Sequence, residues 1–100
     1  MIVAEVSVIP LGTSSTSLSA TVAEMQRVLK KFPGLKILLT PMATILEGEM
    51  REIFRAVGEI HEIPFRRGAT RVFTRLAIDD RRDKKNTMAG KLRSVKAKLK

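Results

Sequence analysis

The chain has no cysteine, no tryptophan, no tyrosine and a single histidine in 100 residues. Without cysteine there are no disulfides, no thiolate metal ligands and no thiol nucleophile, a composition that suits the cytoplasm. His61, alone, makes no His/Cys metal cluster. It lies beside an apolar helical stripe, where a structural or surface role is the simpler use. Aromatics are scarce as well: four phenylalanines, of which Phe32, Phe54 and Phe65 fall on or near helical segments. Glycine never clusters. The segment "PLGTSSTS" holds one glycine and lacks the G-x-x-x-x-G-K-[ST] frame of a phosphate loop. The serines sit in loops without the strained elbow of a hydrolase nucleophile. No apolar run approaches the ~20 residues of a membrane span. The stretch "MIVAEVSVIP" carries Glu5 and no basic leader, and reads as a strand rather than a signal peptide.

Negative charge is also thin, and unevenly so. Residues 1–65 carry six Lys/Arg against seven Asp/Glu, whereas residues 66–100 carry thirteen against three. A basic final third is the footprint of an anionic partner: a phosphate on a ligand, nucleic acid, or an acidic surface on a sister subunit. A merely solvated surface would look the same. Asp79-Asp80 run into Arg81-Arg82, which favours salt bridging over general acid–base work.

Periodicity supplies the elements. Ile2, Ala4, Val6 and Val8 alternate with Val3, Glu5, Ser7 and Ile9, the pattern of a half-buried strand. Leu18, Val22, Met25, Leu29 and Phe32 form an amphipathic helical stripe that Pro33-Gly34 stops. Either Ser17 caps its start or Thr21 and Glu24 form a capping box. Two short strands, 36–40 and 42–47, flank Pro41, which cannot donate to a ladder. A second helix carries Ile53, Val57 and Ile60, with Phe54 and His61 beside them. Pro64 is expected to end or kink it, and Gly68 to close the segment. Residues 70–78 read as a strand with Val72, Thr74, Leu76 and Ile78 inward and Arg71, Phe73, Arg75 and Ala77 outward. Met88, Leu92, Val95 and Leu99 mark a basic amphipathic helix over 86–100.

The order β-α-β-β-α-β predicts one α+β domain over residues 1–100, a ferredoxin-like sandwich with an antiparallel four-stranded sheet and an extra C-terminal helix. Its second sheet face, bearing Val3, Glu5, Ser7, Ile9, Phe73 and Ala77, is too apolar for water, so a partner subunit is expected to cover it. Basic ferredoxin-like domains also bind RNA, but they stack bases on aromatics of the central strands. Here only Phe73 is available, so nucleic acid stands second and a small-molecule enzyme third. The remaining polar set is Ser7, the hydroxyls of 13–17, Thr44 and Glu47. Strict alternation places Thr44 and Glu47 on opposite faces unless Pro41 or the strand end bends the chain. Glu47 and Glu49 also suit the positive N-terminus of the second helix.

The motifs "VSVIPLGT", "PMATILEG", "EIHE", "GATRV" and "IDDRRDK", in that order, resemble the small thiamine-binding protein family of archaea, bacteria and yeast. The resemblance implies a ferredoxin-like fold, dimers or commonly tetramers, and binding of thiamine or its hydroxymethylpyrimidine part; among the residues themselves none is poised for turnover, so no catalysis, cofactor or metal is expected. It places Ser7, Thr44 and Glu47 at ligand-contact positions, and Arg71 and Asp80 at further motif positions. Two departures stand out: Met42-Ala43-Thr44 where the family reads Met-Gly-Thr, and Pro64 within the second helix. An aminopyrimidine offers an amino donor and ring-nitrogen acceptors that hydroxyls and a carboxylate satisfy, and a thiazolium cation would welcome Glu47 or Glu5.

Overall fold

A computed structural model describes residues 1–13 and 18–100. The elements are β1 (Ile2–Pro10), α1 (Ser19–Leu29), β2 (Lys36–Leu39), β3 (Thr44–Gly48), α2 (Met50–Arg66), β4 (Val72–Asp79) and α3 (Met88–Lys98). The four strands pair antiparallel in the order β2-β3-β1-β4, the ferredoxin-like α+β sandwich. In register, Ala4 faces Leu46 and Val6 faces Thr44, so these side chains share the face covered by α1 and α2. There Ala4, Val6 and Leu46 pack with Met25 and Leu29 of α1 and Ile53, Ile60 and Ile63 of α2. Emptying one such site, as Leu46→Ala would, costs about 2–5 kcal/mol. Gly48 ends β3 against the chain leading into β2: an added Cβ would lie 2.5 Å from Leu35 Cδ2 and 3.1 Å from the Gly34 carbonyl oxygen. Among the described residues no helix is long and apolar enough to cross a membrane.

Several boundaries differ from the sequence expectation. The strands flanking Pro41 are shorter than expected, because the Thr40 hydroxyl organises the turn between them. It accepts the N–H of Ala43 at 3.0 Å and of Met42 at 3.3 Å, and donates to the Ala43 carbonyl at 2.7 Å. Met42 is therefore in a turn, and exposed. Helix α1 begins at Ser19 without a side-chain cap. The Thr21–Glu24 box does not form, since both residues lie inside the helix and the Glu24 carboxylate receives Arg67 Nε at 2.7 Å. The alternative cap, Ser17, lies outside the described residues.

Pro64 does not end α2, which continues to Arg66. The proline occupies the last turn, where its missing N–H forfeits a single helical bond. Gly68 makes the stop. With φ at +101° its N–H reaches the Phe65 carbonyl, and the Ala69 N–H reaches that of Pro64, the paired bonds of a Schellman ending. The charged loop 80–87 then leads to α3, capped by the Thr87 side chain accepting from the Gly90 N–H. No residue of α3 is buried, and Leu92, Val95 and Leu99 stand open on its stripe.

Candidate functional site

Strand β1 outruns its neighbour. It pairs with β4 as far as Pro10, but β3 begins only at Thr44, opposite Val6. The notch so left, between β1, α1 and the 40–43 turn, holds a cavity of about 260 Å³. That is just below the ~300 Å³ at which ligand pockets commonly start, room for one small ring system. Val8, Val22, Met25 and Ile60 supply apolar wall. The polar side chains open to it are those of Gln26 and Thr44, since the Thr40 hydroxyl beside them is spent on its own turn. Thr44 is buried, and its hydroxyl accepts a hydrogen bond from Gln26 Nε2 at 3.0 Å. Each partner keeps capacity: the hydroxyl its own hydrogen, the amide its carbonyl oxygen and a second hydrogen. These groups bind by hydrogen bonds and do not change charge near neutral pH.

The residues singled out from sequence therefore separate. Thr44 turns its side chain into this cavity, whereas Ser7 only borders it along the free edge of β1: between Val6 and Val8, its side chain takes the sheet face of Val3 and Glu5, opposite α1 and α2. Glu47 does not reach the cavity. No bend intervenes, so alternation carries it to that same sheet face, in register with Val3 and Lys36. There it is 1% exposed, accepting the Met88 N–H at 2.8 Å, with Lys36 Nζ at 3.7 Å. The helix terminus it serves is that of α3, whereas the expected one was α2. Glu49 is the N-cap residue of α2 but makes no side-chain cap bond. Arg71 lies just ahead of β4 at the cavity end of the sheet, its carbonyl accepting the Leu11 N–H at 2.9 Å. Asp80 lies past the other end of β4, paired with Arg82 at 2.8 Å. That guanidinium holds its carboxyl below the usual range. Asp83 and Arg81 form a second such pair, so the acidic run is neutralised locally, as its spacing implied.

Gln26 is the residue that sequence reasoning missed. It flanks the α1 stripe, four residues after Val22 and three before Leu29, a polar group at the edge of a buried face. His61 donates to or accepts from the Thr74 hydroxyl at 2.6 Å and meets the Phe65 ring edge-on, a structural position. Among the described residues no three His, Cys, Asp or Glu side chains are grouped to hold a metal.

Comparison with known proteins gives a consistent result. The UPF0045 protein YqgV of Bacillus subtilis is 45% identical over 99% of this chain and 98% of its own. A UPF0045 protein of Methanothermobacter thermautotrophicus is 46% identical over 99% of this chain and its full length. The crystal structure of a hypothetical protein from Methanocaldococcus jannaschii superposes with a TM-score of 0.84 at 41% identity, covering 94% of each chain. A Thermotoga maritima protein provisionally assigned to thiamine biosynthesis or salvage shares the fold, with a TM-score of 0.75 at 22% identity over 94% and 97% of the two chains. A family model described as "Thiamine-binding protein" matches residues 4–96, and on that match and those relatives this chain belongs to the thiamine-binding protein family.

Proposed function

We propose that this chain is a non-catalytic, homo-oligomeric binder of thiamine or its hydroxymethylpyrimidine part, taken up in the notch beside Thr44. The observation that carries the reading is the half-enclosed apolar cavity whose polar side chains are the paired Gln26 amide and Thr44 hydroxyl. A flat heteroaromatic ring fits such a lining, and the family description supplies the chemical class. Thr44 makes the buried polar contact, Ser7 contributes only the strand edge, and Glu47 anchors α3. The groups that line the cavity orient a ring without supplying an acid or base, which favours binding over turnover. Oligomerisation rests on what the fold leaves uncovered: Ile9, Leu38 and Phe73 on the sheet face opposite α1 and α2, and the α3 stripe. A second copy of the same chain, as dimer or tetramer, covers both.

The basic third is partly committed within the chain. Arg67, Arg81, Arg82 and Lys91 are paired with Glu24, Asp83, Asp80 and Asp79. The other nine basic residues of this third, Arg93, Lys96 and Lys98 on α3 among them, form no ion pair with a described residue and are open to an anion or to an acidic surface of a sister subunit.

Calorimetric titration of thiamine and of hydroxymethylpyrimidine into the wild type and Thr44→Val tests the reading. Both ligands are expected to bind, with Thr44→Val weakening each about tenfold, the loss of about one hydrogen bond of ~1.4 kcal/mol. Absence of heat with either ligand at millimolar concentration would refute it.

A further inference from the structure

We infer that Gln26 is the specificity determinant of this cavity, and that it selects rings bearing an amino group next to a ring nitrogen. The inference rests on the binding reading above and names the feature of the ligand that is recognised. Thr44 takes one hydrogen of the Gln26 amide, at 3.0 Å, and thereby fixes a side chain that would otherwise swing in water. The carbonyl oxygen and the second amide hydrogen engage no other described residue, on a side chain that lines the cavity. A primary amide held this way is a paired acceptor and donor. Its geometric complement is a ring nitrogen beside an exocyclic amino group, the edge by which Asn and Gln read adenine. The amino group donates to Oε1, and the ring nitrogen accepts from Nε2. The same edge occurs in the pyrimidine of thiamine and in free hydroxymethylpyrimidine, so the chemistry is shared by both sources.

The surroundings sharpen the selection. The walls at Val22, Met25 and Ile60 are apolar, so a ring without the amino group would leave the amide oxygen dry and unpaired. Sites built around a hydrogen bond reject analogues that lack its partner more strongly than apolar pockets reject a change of size.

The test compares hydroxymethylpyrimidine with the same ring lacking its amino group, titrated into the wild type, Gln26→Leu and Gln26→Glu. Leucine keeps the bulk and the helix propensity but makes no hydrogen bond. Glutamate keeps the shape and an acceptor but removes the donor. The wild type is expected to prefer the amino ring at least tenfold. Gln26→Leu should lose that preference while binding the amino-free ring as the wild type does, and Gln26→Glu should fall between them. Thiamine in parallel separates the sources: equal preference for thiamine and the free pyrimidine places recognition in the shared ring. A preference that survives intact in Gln26→Leu overturns the assignment to Gln26 and leaves the binding reading standing. Failure of the wild type to bind either ring or thiamine removes both.

Discussion

At position 47 a carboxylate has been drawn almost wholly out of water and given one backbone N–H and a more distant ammonium. Burial of a charge is tolerated only where hydrogen bonds replace its hydration, and the positive N-terminal end of α3 provides that replacement. Glu47→Gln keeps the shape and an acceptor but removes the charge. It is expected to lower stability by about 1–2 kcal/mol, the upper range for a partly buried helix-terminal charge, since the exposed Lys36 adds little. Hydrogen exchange should show faster opening of α3, and the affinity for thiamine should stay at the wild-type value. A loss of affinity with unchanged stability would instead make Glu47 a ligand contact. Alternation alone was enough to separate Thr44 from Glu47 in the sequence. The partner of Glu47 was not legible, because the Met88 amide lies 41 positions away. Gln26 was hidden differently: a polar residue flanking a stripe is ordinary until a facing strand supplies Thr44.

Among elements, the helices and strands were legible wherever a period ran long enough, as in β1 and α2, and the ends were not. Local hydrogen bonds decide the ends: the Thr40 hydroxyl shortens β2 and β3, and the Gly68 ending carries α2 past its proline. One contact between elements carries a pH signature. Arg67, at the C-cap of α2, bonds Glu24 on α1, and chiefly through that hydrogen bond holds the Glu24 carboxyl below its ordinary range. A carboxyl whose folded pKa is depressed stabilises the fold above its unfolded pKa, and that contribution disappears as pH falls through the folded value. Arg67→Ala should therefore melt lower than the wild type at neutral pH. The gap should close on acidification below the usual glutamate range, and narrow in high salt because both groups are exposed. A gap independent of pH would show that Arg67 acts only through its aliphatic packing.

The whole molecule is longer than its length in residues requires. Its radius of gyration is 15.0 Å, against about 13 Å for a compact 100-residue domain, and its extents are 47 × 30 × 19 Å. The uncovered α3 stripe was visible in the sequence as Met88, Leu92, Val95 and Leu99, whereas its lack of any covering element within the chain was not. Light scattering at micromolar concentration is expected to give a dimer or tetramer. Leu92→Ser with Val95→Ser should shift it to a smaller species without unfolding the sandwich, since neither side chain enters the core. A wild-type mass of one chain would remove the case for a covered stripe. The sheet order has a further consequence, for synthesis. Strand β1 is central, yet its partner β4 is made only after α1, β2, β3 and α2. At about 5–20 residues per second, that edge of an apolar strand waits several seconds for its neighbour. During that interval the nascent chain presents an open pairing edge to any other strand within reach, so crowding on the ribosome, rather than the stability of the finished fold, sets its exposure to misassembly.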